Sequence, residues 1–288
     1  MSDQITQERM AAAGKGAVTA IPSVFLVMTD ANPGQDDEFN DWYTNIHCHD
    51  IMRLEGSIAV QRFKLSPYQL RYNAANFGPA QPYLCIYELG DTQQNIDDHV
   101  EQCFSDAMPI TSALRLDASE DFYYLNVDPN KNPVESYGPR GGHVLTIRMN
   151  VLPGKEAEFE QWYTRDYLPR SLRLIGFESG DLYRAADIQL VASPPTFVHS
   201  AVYHVADPMV AIESLDSHLA QAGTILDCPL VDRAGVRIAV YSPITNRLTA
   251  EQVRNQTPEQ QALEDRIRAG MAGRRHMDEG AGMKLKRD

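Results

Sequence analysis

The sequence of 288 residues has no apolar run near 18 residues, so we expect no membrane-spanning helix. Its first twenty residues include acidic side chains and no apolar core of the kind found in signal peptides, which favours a cytoplasmic protein. The four cysteines show no C-x-x-C spacing, and this argues against a disulfide framework or a zinc cluster.

Positive charge is also scarce. The chain carries 26 Lys and Arg against 39 Asp and Glu, which gives a formal net charge of −13. An acidic protein repels phosphate backbones, so nucleic acid is not an expected partner. Basic residues are enriched only in residues 266–288, for which a solvated, flexible tail is the simplest interpretation.

Several motifs of cofactor and metal chemistry are missing. The sequence contains no G-x-G-x-x-G or Walker-type phosphate loop, no G-x-S-x-G elbow and no H-E-x-x-H. We therefore expect no cofactor and no metal, and a chemistry performed by side chains on an organic ligand.

An internal repeat organises the sequence that is present. Residues 38–56, EFNDWYTNIHCHDIMRLEG, are matched at an offset of 120 by residues 158–176, EFEQWYTRDYLPRSLRLIG. Both tryptophans of the chain, Trp42 and Trp162, fall at equivalent positions. Chance is a poor explanation for this agreement, so we interpret the two stretches as copies.

Each half shows the same order of predicted elements, β-α-β-β-α-β, because strand-like runs flank each copy and a second helical stretch follows. This order is typical of a ferredoxin-like unit, an antiparallel sheet with both helices on one face. The bare face of one sheet is too apolar for water. We therefore predict an α+β fold, in which two tandem units pack their sheets face to face into an intramolecular barrel.

The repeat also sets the domain limits. We predict a flexible N-terminus at residues 1–19, a first unit at 20–128, a linker at 129–140, a second unit at 141–245 and a helical extension with a basic tail at 246–288. Thr249, followed by Glu and Gln, predicts a helix start within the extension. The extension belongs to neither repeat, so it packs across the halves or supports a homodimer. Two loops between strands two and three, residues 66–81 and 186–196, are placed to rim a cavity.

Titratable residues are concentrated on the first helix. Regular helical spacing puts Tyr43, His47 and Asp50 on one stripe, with Trp42 and His49 on the adjacent one. An imidazole oriented by a carboxylate is a suitable general base, so His47 supported by Asp50 is the predicted catalytic pair, with His49 as a third candidate. A histidine that only packs or caps the helix is the structural alternative. His47 and His49 point in different directions on a helix, which argues against a shared metal.

The run of Phe39, Trp42-Tyr43, His47 and Gly56 resembles the dimeric α+β barrel superfamily. It is most similar to the EthD-like members, whose first helix carries an F-x-x-W-Y-x-x-x-H pattern before a glycine and an Arg-bearing strand. This resemblance implies that His47 matches the family histidine. It does not choose a reaction, because such proteins include oxygenases, isomerases, lyases, haem proteins and ligand-binding regulators.

The second helix keeps the packing residues and lacks the acid–base set. Tyr167, Pro169 and Arg170 stand where His47, His49 and Asp50 stand in the first. Drift after duplication is one explanation; a reactive site held by the first half alone is the other. The predicted substrate contacts are aromatic and basic residues on the helix and the strands: Tyr43, Trp42, Arg62, Tyr87, Tyr203, Tyr183 and His199. Of these, Tyr87, Tyr203 and His199 are expected inside the barrel. Half-buried sheet tyrosines with solvated hydroxyls, and a surface carboxylate as the partner of Arg62, are the structural alternatives.

The predicted function is a cofactor-independent lyase or isomerase that transfers a proton, as dehydratases do, on a small aromatic or polyketide-like hydrophobic compound. A cofactor-free oxygenase of the same fold is the first alternative. A non-catalytic protein that binds a hydrophobic ligand is the second.

Overall fold

The computed structural model describes residues 21–70, 80–103, 105, 108–128, 142–190, 193–221 and 224–271. The predicted N-terminal segment and linker and most of the basic tail lie outside these residues. In the first half the elements are β1 (Ser23–Thr29), α1 (Asp36–Trp42), a π-helical turn (Tyr43–His47), α2 (Cys48–Arg53), β2 (Ser57–Leu65), β3 (Tyr83–Leu89), α3 (Thr92–Cys103), a 3₁₀ turn (Leu116–Ala118) and β4 (Glu120–Asn126).

The second half repeats this order of elements. They are β5 (His143–Val151), α4 (Glu156–Trp162), a π-helical turn (Tyr163–Tyr167), α5 (Leu168–Ser171), β6 (Phe177–Ala185), β7 (His199–Val205), α6 (Pro208–Leu219), a 3₁₀ turn (Ile225–Asp227) and β8 (Val231–Pro243). Gly56 and Gly176 end the helical segments with φ of 81° and 89°. A glycine suits these positions because other residues are strained at positive φ.

Eight antiparallel strands close into a barrel. Their order is β3-β1-β4-β6-β7-β5-β8-β2, and β2 pairs back onto β3. The two halves join through the β4–β6 and β2–β8 pairs. The expected α+β class is confirmed, and the two sheets form one continuous closed sheet.

Both faces of this sheet are buried. Even-numbered residues of β1 point into the barrel, where they pack with Phe63, Tyr124, Tyr183 and Tyr241. Odd-numbered residues of β1, such as Phe25, pack against α1 to α3 outside the barrel. The second half has an equivalent outer core beneath α4 to α6. The helices therefore lie outside the barrel, and each half has its own helix–sheet layer.

The C-terminal extension packs onto the first half. It consists of a short strand β9 (Leu248–Thr249), α7 (Ala250–Arg254) and α8 (Pro258–Gly270). The predicted helix start at Thr249 is confirmed, because its side chain accepts a hydrogen bond from the Gln252 backbone in a capping box. Residues of α7 and α8 contact α2 and the first π-helical turn. No helix in the described part of the chain is long and apolar enough to cross a membrane.

A buried carboxylate fastens α8 to the first helix. Glu264, 2% exposed, accepts hydrogen bonds from Arg53 at 2.8 Å and Arg268 at 3.0 Å, and its Oε2 lies 3.0 Å from Nδ1 of His49. Burial acts to raise the pKa of Glu264, but the hydrogen bonds from Arg53, His49 and Arg268 outweigh it and lower the pKa to about 2.

We expect Glu264→Ala to lower the free energy of unfolding by about 1–3 kcal/mol, because the variant removes the buried acceptor of charge-assisted hydrogen bonds from Arg53 and Arg268. Denaturant unfolding measures the change. Asp265→Ala, which alters an exposed carboxylate on the same helix, is the matched control and should change stability by less than about 0.5 kcal/mol. Equal effects of the two variants would contradict the anchoring role of Glu264.

Candidate functional site

His47 lies at the end of the first π-helical turn and faces the layer between helices and sheet. Its ring stacks on Trp42 with centroids 4.8 Å apart and meets Tyr43 edge-on at 5.0 Å. Nδ1 of His47 is buried and has no hydrogen-bond partner among the described residues. A buried polar atom without a partner is unusual in a protein interior, so this nitrogen needs an explanation.

The predicted pairing of His47 with Asp50 is wrong. Asp50 accepts hydrogen bonds from Arg268 at 2.7 Å and from Arg53 at 3.4 Å. Together with His49 it belongs to the polar cluster that fastens α8. The physical reason is that residues three apart on a helix lie about 60° apart around its axis, and the guanidinium groups of Arg53 and Arg268 bind the Asp50 carboxylate. His47 therefore lies on the buried face and Asp50 on its flank.

A small cavity lies beside His47, between the outer face of the sheet and the helices of the first half. Its volume is about 40 Å³, which is room for two or three waters. Its walls are mostly apolar or aromatic, with five polar side chains. The lining residues are Phe25, Val27, Thr29, Trp42, Tyr43, His47, His99, Ile110, Leu114, Leu116, Ser119, Asp121 and Leu190.

Three of the polar lining residues hold buried atoms that have no hydrogen-bond partner among the described residues. They are Oγ1 of Thr29, Nδ1 of His47 and Nε2 of His99. The other ring nitrogen of His99, Nδ1, lies 3.0 Å from the hydroxyl of Tyr123, which fixes the orientation of the ring. The cavity thus combines an apolar wall with three residues that carry unpartnered polar atoms.

Burial controls the ionisation of this cavity. It lowers the pKa of His47 to about 3, with smaller contributions from His99 and Arg62, and it lowers the pKa of His99 to about 4. It raises the pKa of Asp121 to about 7; a backbone hydrogen bond opposes the rise and Glu120 adds to it. Both histidines are therefore neutral at pH 7, and the carboxyl of Asp121 titrates near neutrality.

Thr29, His99 and Asp121 are not among the predicted site residues, although the repeat contains a signal for them. Strand pairing and the matching twelve-residue helices align the two halves beyond the first helix. The polar positions of the first half are apolar or aromatic in the second. Met149 stands for Thr29, Tyr167 for His47, Leu215 for His99 and Ile238 for Asp121, and all four are buried in the second outer core.

Arg62 is buried outside the barrel and ties β2 to the first helix. Its guanidinium donates to Oδ1 of Asn40 at 2.8 Å and to the hydroxyl of Thr44, and it lies 4.5 Å from the centre of the Tyr43 ring. Tyr87 donates to the hydroxyl of Tyr43 at 3.4 Å. Arg62 and Tyr87 therefore lie behind Tyr43, and neither lines the cavity.

Three predicted contacts belong to other parts of the molecule. Tyr203 shares a hydrogen bond of 2.7 Å with Tyr163, and Nε2 of His199 lies 2.9 Å from Glu160, both in the outer layer of the second half. Tyr183 alone of the predicted strand residues points into the barrel. The expectation that Tyr87, Tyr203 and His199 line the barrel interior is wrong, because alternation tells which residues share a face but not which face points inward.

The described residues include no group of three or more His, Cys, Asp or Glu side chains arranged to hold a metal ion. His47, His99 and Asp121 line the same cavity without converging on one point. The geometry therefore suits hydrogen bonding and proton exchange with a ligand.

No protein-family model matches this chain, and no curated protein matches it. Among solved structures it is similar to an anthrone oxidase-like protein, with 11% identity and a TM-score of 0.50, over 79% of this chain and 92% of that one. It is also similar to a chlorite dismutase from Candidatus Nitrospira defluvii, with 8% identity and a TM-score of 0.48, over 90% of this chain and 99% of that one. At 11% identity the likeness to the anthrone oxidase-like protein shows the fold alone.

We expect Asp121→Asn to change how stability depends on pH. The pKa of Asp121 is raised from 3.8 to about 7 on folding, so the folded protein keeps a proton that the unfolded chain releases between these values. Stability from this group is complete below pH about 4 and declines as the pH rises through about 7. The Asn variant lacks this decline. Between pH about 4 and about 7, the free energy of unfolding of the variant should therefore rise relative to that of the wild type by up to about 4 kcal/mol.

Denaturant unfolding of both proteins at several pH values from 4 to about 8 tests this expectation. A constant difference between the two stability curves would show that the carboxyl of Asp121 titrates as it does in the unfolded chain.

Proposed function

We propose that the first half of this chain is the catalytic half of an enzyme, and that its cavity is a site for acid–base proton transfer. The observation that carries the proposal is the grouping of Thr29, His47, His99 and Asp121 around one cavity, with three of their polar atoms unpartnered among the described residues. The finer assignment is a cofactor-independent lyase or isomerase acting on a small aromatic or polyketide-like compound, of which only the carbonyl end fits a cavity of about 40 Å³.

Stability does not explain these polar groups. Each buried polar atom that lacks a partner costs about 1–3 kcal/mol, and the same layer in the second half is built from apolar and aromatic residues at the equivalent positions. The fold therefore does not need Thr29, His47, His99 or Asp121. A role in binding and reaction is the explanation that the comparison of the two halves favours.

The proposed roles follow from the protonation states. The neutral ring of His47 accepts a proton at Nδ1 from a carbon next to a carbonyl group. Its pKa of about 3 makes it a weak base in the empty cavity, so this role requires that the negative charge developing on the bound compound raises that pKa. Asp121, partly protonated at neutral pH, donates its proton to the departing hydroxyl group, which leaves as water in a dehydration. In an isomerisation the proton returns at another atom of the substrate. Thr29 and His99 supply hydrogen bonds to the substrate oxygens, and Trp42 and Tyr43 form the apolar wall.

The remaining predicted site residues receive supporting roles in this proposal. Asp50 and His49 hold the extension against the first helix. Arg62 and Tyr87 support Tyr43 from behind. Tyr203, Tyr183 and His199 serve the packing of the second half and the barrel interior, far from the reacting groups.

We also propose that residues 20–128 and 141–245 are duplicated ferredoxin-like units, so that one chain forms the barrel that two copies form in a dimer. The identical strand orders β4-β1-β3-β2 and β8-β5-β7-β6 support this view. The C-terminal extension covers the first half of its own chain, so homodimer formation through it requires its outer surface.

The proposal predicts that the protein exchanges protons next to a carbonyl group. We expect deuterium incorporation from D₂O into ketones, in a series from acetone to acetophenone, followed by proton NMR. His47→Asn should slow the exchange by at least about 100-fold, because it removes the base while keeping a side chain of similar size. Asp121→Asn should change the pH profile of the rate. Oxygen uptake measured in parallel distinguishes a lyase or isomerase from an oxygenase.

The second half provides the control for this experiment. Tyr167→Phe alters the residue equivalent to His47 and should leave the exchange rate within about 2-fold, because the second outer layer holds no proton-transfer group in this proposal. A wild-type protein that binds ketones without exchanging their protons would favour a ligand-binding protein over an enzyme.

A further inference from the structure

A segment of the second half reaches across to the cavity of the first half. Residues 186–190 follow β6, and Leu190 is fully buried in the outer core of the first half, where it lines the cavity. Its neighbour Gln189 is bound to both backbone groups of Tyr123. The side-chain oxygen of Gln189 accepts from the Tyr123 amide at 2.8 Å, and the side-chain nitrogen donates to the Tyr123 carbonyl at 2.9 Å.

The first half contributes an equivalent segment to the outer core of the second half. Gln69 accepts from the amide of Val240 at 3.1 Å and donates to its carbonyl at 2.7 Å. Leu70 is buried in the outer core of the second half. Gln69 and Leu70 stand 120 residues before Gln189 and Leu190, so the two crossings are equivalent in sequence and in geometry.

The two segments differ in the residue whose backbone their glutamine binds. Gln69 holds Val240, an apolar residue in an apolar layer. Gln189 holds Tyr123, whose hydroxyl lies 3.0 Å from Nδ1 of His99 and whose ring stacks on Phe25 with centroids 4.2 Å apart. Fixing the backbone of Tyr123 therefore fixes the partner that orients the ring of His99.

We propose that Leu190 and Gln189 are part of the site in the first half although they belong to the second. Leu190 sets the size of ligand that the cavity accepts. Gln189 is a positioning residue, which acts on His99 through Tyr123. This inference rests on the proposed function of the cavity, and it makes the site dependent on both halves of the chain.

The first test is ligand size. Truncating a buried leucine leaves space, and an apolar cavity of about 150 Å³ is known to bind benzene. We expect Leu190→Ala to bind phenol about 10-fold more tightly than the wild type does, because the free polar atoms of the cavity can pair with the phenol hydroxyl. NMR titrations with phenol and benzene measure both affinities. Leu190→Met, which preserves the volume, should bind like the wild type.

Leu70→Ala is the matched control, since it opens the equivalent place in a layer without these polar groups. The ratio of phenol to benzene affinity should be about 10-fold higher in Leu190→Ala than in Leu70→Ala. Equal ratios in the two variants would overturn the assignment of Leu190 to a polar site.

The second test is the orientation of His99. In Gln189→Ala the ring nitrogen signals of His99 should shift in ¹⁵N NMR, and the pH at which the ring titrates should change, because the Tyr123 contact is loosened. Gln69→Ala removes the same backbone hydrogen bonds at Val240 and should leave the His99 signals in place. Unchanged His99 signals in folded Gln189→Ala would overturn the positioning role.

These measurements separate the inference from the proposed function. Phenol binding and histidine NMR require no turnover. If both differ as expected while His47→Asn keeps full exchange activity, the cross-half site stands and the catalytic proposal fails. If the exchange activity depends on His47 but the paired variants behave alike, the catalytic proposal stands and the cross-half site fails.

Discussion

Closure of the sheet is the constraint on which the rest of the structure depends. Because the barrel has a packed interior and helices outside, a strand residue has no face on which to meet water, and any polar group there needs a partner. Inside the barrel Arg148 meets this requirement by donating to Glu120 at 2.6 Å. The outer layer of the second half has apolar side chains such as Met149 and Ile238 at the equivalent strand positions, although the hydroxyl of Tyr167 and Nδ1 of His199 lack partners there among the described residues. In the outer layer of the first half, three residues with unpartnered polar atoms line one cavity, and this grouping identifies the candidate site.

The order of strands and helices could be predicted from the sequence, because periodicity and turn residues act locally. Gly56 and Gly176 end their helices, and Thr249 begins one, as their types predict. The direction of each strand face could not be predicted. Alternating polar and apolar residues usually mark the wet side of a sheet, but this sheet has none, so Tyr87 and Tyr203 were assigned to the interior and lie outside it.

The candidate site was predictable only as far as the repeat could be followed at one offset. His47 falls within the stretch that matches at 120 residues, and it lines the cavity. Asp50 falls there too, but its carboxylate binds Arg268 of the C-terminal extension, a contact that residue spacing within one helix does not reveal. His99 and Asp121 lie beyond the loops, where strand pairing and helix length align the halves at 116 and 117 residues. The shorter connection between β6 and β7 causes this shift, and a constant offset therefore compares the wrong residues.

The electrostatics of the cavity favour transfer of a proton from His47 to another group over its retention on His47. Arg62 is a buried cation with no carboxylate in ion-pair distance among the described residues, and it lies against the Tyr43 ring, which lines the cavity. Its charge, like burial itself, disfavours protonated His47 and favours negative charge on a bound compound. A proton that His47 accepts therefore leaves it readily. Asp121 lies in the same cavity and titrates near neutrality, so it is the group best suited to exchange that proton with the substrate.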